Sequence, residues 1–551
     1  MPSSADEPEP VAGVRSPAPI GTQEAAPTSE PGRARRLAWS TAIFAASTGG
    51  SRVLGLLREI LVRRYFGVEG PINTFTVAYQ VPNLVRSLVA DAALSAAFVP
   101  VFSELLEKNE RLRAWRVAST LVWLVLLGLG ALTAFFILVA PWAMRPFGYE
   151  GDQEELVVTL SRLLFPTVVL LGLTGIVVGV LNSYEHFTVP ALAPIFWNLA
   201  VILALVVGVP EADSESAKLY VYAGGIVAGT LIQLLLPVPW LRGRDDRLRV
   251  AVDWRDPAVR RVFVLMVPVT LSLGLINFNQ LINAFFAARY IDPQLAPSAI
   301  EAAFRIYLLP QGMFSVAIAT VLFPSLSRLA ARNDVAGFRA TVALGVRQIG
   351  FLLVPASAVT AVLAVPIVRL LYERGAFGPA ETDVVGDALA AFAVGLTFNG
   401  VTLMLNRAFF SLQSPWVPTW VALGNLAFQV ALNGALYRVG VWGIPLATSL
   451  VNIAGTTALV LLLRREIGRI EGRRMLASYV RTTVASALAA AVAFGAWYAL
   501  DGALGRSLGA QVVSVGGSLA VALGVFLVAA RILRIPELDA LLSLIRRSRT
   551  E

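Results

Sequence analysis

Cysteine is absent from this chain. That excludes disulfides, thiolate metal sites and a thiol nucleophile. Histidine occurs once, at His186, which all but removes zinc chemistry and imidazole acid–base catalysis. Lysine occurs only at Lys108 and Lys218, and no Gly-rich phosphate loop ending in lysine is present, so ATP is not a direct drive. Charge of either sign is scarce, at 15% of the 551 residues, against about 25% in soluble globular chains. Apolar residues fill the space, making up 56% of the chain with a mean hydropathy of +0.70. A water-soluble protein of that composition could not cover its own surface with polar groups. The chain reads as an all-α polytopic membrane protein and not as an enzyme.

Residues 1–36 are rich in Pro, Ser, Ala and Glu and hold no apolar run. They read as a disordered tail without a secretory pattern. From residue 37 onward, stretches long enough to cross about 30 Å of hydrocarbon as helices recur. There are fourteen, at roughly 37–66, 72–105, 114–144, 156–184, 189–209, 217–241, 258–289, 298–331, 337–371, 383–412, 416–437, 444–463, 477–500 and 510–533. The first, second and eighth are the least apolar. The net charge of +9 has a sided distribution. Alternate loops carry Arg111, Arg113 and Arg116, then Arg242 to Arg261, then Arg328, Arg332 and Arg339, then Arg464, Arg465 and Arg469 to Arg474, and Arg546 to Arg549 close the chain. The other loops carry Asp152, Glu154, Glu155, Glu211 and Asp213. Positive charge collects on cytoplasmic loops, so this pattern places both termini in the cytoplasm. Its sidedness fits a membrane rather than nucleic acid.

The chain also repeats itself. Phe98-Val-Pro100-Val-Phe-Ser103-Glu-Leu105 is answered 224 positions later by Leu322-Phe-Pro324-Ser-Leu-Ser327-Arg-Leu329, and each run then reaches an Asn, Asn109 and Asn333. Asn198-Leu-Ala is answered by Asn425-Leu-Ala at an offset of 227. Six helices separate the copies, so both keep the same orientation and an axis along the membrane normal relates them. The expected plan is two parallel six-helix lobes around a central cavity, 37–250 and 251–470. Residues 471–551 add two further helices and a basic tail.

Charge at bilayer depth is costly and marks a pair or a site. The first helix carries Arg52, Arg58, Glu59, Arg63 and Arg64, the second Arg86 and Asp91, the eighth Glu301 and Arg305. Arg52 and Glu59 share a face and can pair, Glu301 and Arg305 have the favourable intrahelical spacing, and Arg63 and Arg64 are expected to snorkel to the outer interface. Glu301 lies near the outer end of its helix, within reach of water. Arg52, Arg58, Arg86 and Arg305 outnumber Glu59, Asp91 and Glu301. A cavity they line stays positive and suits an anion, and arginine matches phosphate oxygens bidentately. A second cluster is neutral: Asn277, Asn279, Gln280 and Asn283 in the seventh helix, Asn425, Gln429 and Asn433 in the eleventh, Thr448 and Asn452 in the twelfth. Such groups hold helices together by hydrogen bonds, or their oxygens hold Na⁺.

Several ordered motifs point further. Ser51-Arg52-Val53-Leu54-Gly55-Leu56-Leu57-Arg58-Glu59 is followed by Phe66-Gly67, Val81-Pro82-Asn83-Leu84-Val85-Arg86 and Ala97-Phe98-Val99-Pro100. Leu181-Asn182, Phe187, Pro190-Ala191, Ala193-Pro194 and Asn198 come next. Phe304-Arg305, Leu309-Pro310, Leu322 to Ser327 and Tyr372-Glu-Arg-Gly375-Ala-Phe377 complete the series. Over roughly residues 37–540 this resembles the MurJ/MviN family of lipid II flippases in the MOP exporter superfamily. The resemblance implies fourteen helices in two lobes. It implies alternating-access export of the undecaprenyl-pyrophosphate-linked peptidoglycan precursor across the bacterial cytoplasmic membrane. It also implies coupling to Na⁺ or the membrane potential in some members. The family's cavity arginines fall on Arg52, Arg58, Arg86 and Arg305, and its cavity serine on Ser298. An acidic residue common in the family falls on Asn73, a second basic residue on Ser87. The acids of its sodium site are missing, which leaves Asn283, Asn425 and Thr448 as the nearest ion-binding candidates. The expected partners are lipid II, membrane lipids and cell-wall synthesis proteins, with no nucleic acid and no bound cofactor. An exporter of another lipid-linked oligosaccharide, a drug exporter, a membrane glycosyltransferase and a non-transporting scaffold are the rival readings.

Overall fold

The computed structural model describes residues 31–89, 92–468 and 472–539. Seventeen helices follow one another: α1 (Pro31–Phe66), α2 (Ile72–Val89), α3 (Ala92–Glu107), α4 (Arg111–Met144), α5 (Asp152–Leu164), α6 (Pro166–Ser183), α7 (Thr188–Leu203), α8 (Glu215–Leu235), α9 (Pro257–Phe286), α10 (Ala296–Ala331), α11 (Val335–Val362), α12 (Ala364–Tyr372), α13 (Pro379–Ser411), α14 (Trp416–Leu436), α15 (Gly443–Ile467), α16 (Gly472–Leu504) and α17 (Leu508–Ile532). They correspond to fourteen crossings, because α2 with α3, α5 with α6, and α11 with α12 each share one. Pro166, which has no N–H, opens α6 and accounts for the second break. Leu363, at φ −98° and ψ 20°, makes the third. α1 opens at Pro31, inside the stretch expected to be tail. A proline at the first helical position lacks only an N–H that would be unpaired there anyway.

Ten of the described segments are long and apolar enough to cross a membrane. The eighth crossing, Ala296–Ala331, is among them, whereas α1, α2, α9 and α14 are not. Those four carry Arg52, Arg58, Arg86 and most of the amides singled out above, whereas Arg305 lies on α10 and Thr448 and Asn452 on α15. The polar residues of α1 and α2 line one cavity, and those of α9 meet α2 on one side and α14 on the other, so weak hydropathy here marks a polar interior and not the absence of a crossing.

The repeat is visible in the helix ends. Asn109 and Asn333 both take the left-handed conformation, at φ 59° and 53°. The next amide in each case bonds back to the helix, Glu110 N to Leu105 O at 2.9 Å and Asp334 N to Leu329 O at 3.0 Å. Glu185 and Gln413 form a second pair, both at φ 57°, with His186 N on Leu181 O and Ser414 N on Phe409 O. Left-handed closures of this kind satisfy the last carbonyls of a helix. The same closure therefore recurs at corresponding ends of α3 and α10 and of α6 and α13.

Core packing follows the lobes except where they meet: Val68 joins the core of the second lobe, and Ala288 joins that of the first. Val259 and Val262, in the first turns of α9, pack with Phe98, Trp115 and Phe165 in the core of the first lobe. α16 and α17 pack on α11 and α12. Ala485, Ala489 and Ala493, spaced four apart, are fully buried there. Small residues at that spacing let helices approach closely where lipid, not water, is the alternative neighbour. Ion pairs at both ends hold this hairpin: Arg347 to Glu537 at 3.2 Å, and Arg369 to Asp501 at 3.6 Å.

Candidate functional site

The cavity lies between α1, α2, α7 and α8 of the first lobe and α10 of the second. It has two levels, a wider one toward the arginine-rich end and a much narrower one beyond it. Arg58, Tyr79, Trp197, Ile226 and Arg305 line both, so the levels form one space.

Helical spacing positions its charges. Glu59 and Arg63 are four residues apart on α1, as Glu301 and Arg305 are on α10. Each acid comes first, so each pair closes along its own helix. Arg305 Nη2 lies 2.8 Å from Glu301 Oε1, as the spacing predicts. Glu301 is half-buried and lines the cavity. Arg63 is buried, donating through Nε and Nη2 to Glu59 Oε1 at 3.1 and 2.8 Å and through Nη1 to the Ser298 hydroxyl. The expected snorkelling of Arg63 is thus corrected, because this face of α1 looks at α10 and not at lipid. The expected pairing of Arg52 with Glu59 is corrected for the same reason, since Glu59 is engaged by Arg63 and approached by Arg58 at 4.0 Å. Arg64 has an exposed side chain.

Arg58 lies over the Trp197 ring, 4.7 Å from its centroid. Arg86 donates to Asn83 Oδ1 at 2.7 Å, and Asn83 donates to Asn277 on α9 at 3.1 Å. Arg52 is exposed and outside the lining; it neighbours Ser51, which does line the cavity, and reaches toward Gly312 on α10. Ser298 is wholly buried behind the wall, accepting from Arg63 and donating its N–H to Asn73 Oδ1 at 2.8 Å. It positions Arg63 rather than meeting the cavity. Asp91 lies outside the described residues.

In the upper level three guanidiniums, of Arg58, Arg63 and Arg305, face two carboxylates, of Glu59 and Glu301. Arg86 adds a further positive charge below. The Nε–H groups of Arg58 and Arg305 are buried and meet no hydrogen-bond acceptor among the described residues. Buried donors are normally paired. Two cationic donors held unspent on a positive cavity wall suit an anionic, oxygen-rich ligand.

The neutral cluster is arranged differently. Asn283 Oδ1 accepts from Gln429 at 3.1 Å and from Asn433 at 2.9 Å, and Gln429 also donates to Asn433 Oδ1 at 2.8 Å. Thr448 Oγ1 lies 3.5 Å from Asn283 Nδ2 and donates to Ile444 O. Asn425 stands apart, packed against Gly455. The oxygens of Asn283, Asn433 and Thr448 are engaged by amide N–H groups, Gln429 Oε1 meets no donor, and no carboxylate joins the cluster among the described residues.

Sequence reasoning passed over Trp197, Tyr79 and Tyr222, which look like ordinary membrane aromatics. It read Arg63 as snorkelling, although the spacing that paired Glu301 with Arg305 also pairs Glu59 with Arg63.

The family model described as lipid II flippase MurJ matches residues 62–506. The chain belongs to the MurJ family. The lipid II flippase MurJ of Burkholderia cenocepacia is 31% identical over 68% of this chain and 73% of its own length. The probable lipid II flippase MurJ of Synechocystis is 30% identical over 92% of this chain and 96% of its own. The fold agrees. A solved MurJ in an inward closed conformation superposes with a TM-score of 0.72 at 21% identity, over 89% of this chain and 99% of that one. An inward-facing multidrug resistance MATE transporter of the MOP superfamily superposes at 0.64 and 16% identity, over 77% and 96%. This MurJ-family chain is therefore a multi-pass membrane protein of MOP-exporter fold.

Proposed function

We propose that this MurJ-family chain moves lipid II from the inner to the outer leaflet of the bacterial cytoplasmic membrane, as a transporter and not as an enzyme. The observation that carries the reading is the pair of unspent guanidinium donors, on Arg58 and Arg305, in a cavity with surplus positive charge. A pyrophosphate supplies the acceptor oxygens these donors lack, and Arg86 extends the cationic wall toward the wider level. The arginine-rich loops favour a cytoplasmic position for that end and for both termini. The wider level then faces inward, and the lipid tail stays in the bilayer while the headgroup crosses. A cation-binding drug exporter would call for the opposite sign of charge.

For the energy source we infer the membrane potential rather than Na⁺. The oxygens of Asn283, Asn433 and Thr448 accept from amide N–H groups that a cation would first have to displace, which leaves only Gln429 Oε1 open to one. An anion moving outward from an inside-negative compartment moves down the electrical gradient and gains about 2.3 kcal/mol per charge per 100 mV.

The test is outer-leaflet lipid II in cells depleted of their own flippase and supplied with this chain or with Arg305→Ala. Exposure and growth should return with the wild type. The variant should lower transport roughly ten- to hundredfold, the scale of lost charged hydrogen bonds, while still reaching the membrane. Normal transport by Arg305→Ala would refute the cavity reading.

A further inference from the structure

The end of the bundle opposite the arginine-rich loops is closed by bonds between the lobes, and one side chain makes an unusual share of them. Glu381, near the start of α13 in the second lobe, is buried. Its Oε1 accepts from Val68 N at 2.7 Å and Glu69 N at 3.0 Å, both in the turn between α1 and α2 of the first lobe. Its Oε2 accepts from Gly378 N at 2.6 Å, within its own helix N-terminus. One carboxylate oxygen thus caps its own helix while the other grips the opposite lobe.

Two glycines make the approach possible. Gly67 has φ +62°, and a Cβ there would stand 2.6 Å from Glu381 Oε1 and 2.9 Å from Ala376 O. Gly375, on the other lobe, has φ +67°, and its Cβ would collide with the Arg64 carbonyl. That carbonyl accepts from Ala376 N at 2.8 Å. Each lobe therefore presents a left-handed glycine to the backbone of the other, in a conformation that other residues adopt only with strain. Farther along the same seam, Gly70 N donates to Gln294 O at 2.7 Å.

We propose that Glu381 is the latch of this end: its ionised carboxylate holds the α1–α2 turn and keeps the outer mouth shut while the cavity faces inward. The proposal rests on the transporter reading for its direction. The bonds to Val68 and Glu69 are charge-assisted and lie between bodies that must separate for release outward. The bond to Gly378 lies within one body and survives the movement. Glutamine cannot replace this carboxylate. Its amide offers one acceptor and one donor, and the donor must face a backbone N–H either at the grip or at the cap.

The absence of native cysteine allows a direct test. Thr76 is buried and lines the upper cavity. Thr76→Cys is labelled with a membrane-impermeant maleimide in right-side-out and inside-out vesicles. Asp213→Cys, in an exposed loop of the closed end, identifies which face is being probed. In the Glu381→Gln background, labelling of Thr76→Cys from the Asp213 face should accelerate at least about tenfold, the scale of a lost charged hydrogen bond, with little change from the other face. Gly375→Ala, which wedges the same seam without touching the carboxylate, should act in the same direction and serves if Glu381→Gln does not fold. Unchanged labelling from the Asp213 face, or equal acceleration from both faces, overturns the latch. Neither result bears on whether lipid II is the cargo, because the readout needs no substrate.

Discussion

Two polar clusters sit between the lobes, and they differ in what they leave unspent. At Asn283, Gln429, Asn433 and Thr448, neutral donors and acceptors engage one another across α9, α14 and α15. In the cavity, the Nε–H groups of Arg58 and Arg305 meet no acceptor. Both clusters look alike in sequence, as polar residues inside apolar helices. The first resembles the interhelical hydrogen bonding common in membrane bundles. The second has the unmet donors that a ligand can complete. The contrast suggests that polarity at bilayer depth locates a boundary, and that unmet cationic donors locate a site only where they border a cavity, since among the described residues Arg339 and Arg369 carry unmet N–H groups away from one.

The strongest way to break this contrast is at Arg63, which is charged yet fully engaged. Arg63→Ala would leave the buried Glu59 with only Arg58, at 4.0 Å, and Ser298 without its donor. Removing one partner of a buried pair costs about 3–5 kcal/mol. We expect a large fall in thermal stability of the purified protein and in its yield of folded material. If Arg63→Ala folds as stably as the wild type, Arg63 belongs with the ligand-binding group and not with the wall.

A sharper test separates charge from geometry at Arg58. Arg58→Lys keeps the positive charge but loses the planar fork and the stacking on Trp197. Trp197→Leu removes only the stacking, worth about 0.5–2 kcal/mol. Lipid II binding by the purified protein should weaken in both, and more in Arg58→Lys. Equal affinity of wild type and Arg58→Lys would mean that the cavity senses net charge alone.

Much of this was legible in the sequence. The pair of Glu301 and Arg305 followed from helical spacing, and the matching helix ends at Asn109 and Asn333 from an internal repeat. The positions of Arg58, Arg86 and Arg305 on the cavity wall agree with the family motifs. What escaped was set by three-dimensional neighbours. Arg63 is near the end of its helix, so it read as snorkelling until α10 was seen packed over it. Arg52 shares a face with Glu59 along α1, yet the bundle exposes it. Glu381 bonds to backbone amides more than 300 residues away, and backbone amides carry no sequence signature.

The smallest effect should come from the engaged cluster. Gln429 is fully buried, and its Oε1 is the one oxygen of that cluster without a partner among the described residues. Gln429→Leu removes that unmet acceptor together with its amide donors, so the losses and gains partly cancel. Folding stability should shift by no more than about 1–2 kcal/mol, the scale of one or two net hydrogen bonds. Transport into vesicles driven by an imposed potential should be retained, and replacing Na⁺ by choline should leave both proteins equally active. A wild type that stops in choline while Gln429→Leu is indifferent to it would instead make the amide oxygens a cation site. The potential-driven reading would then fail, even though the cationic cavity would still stand.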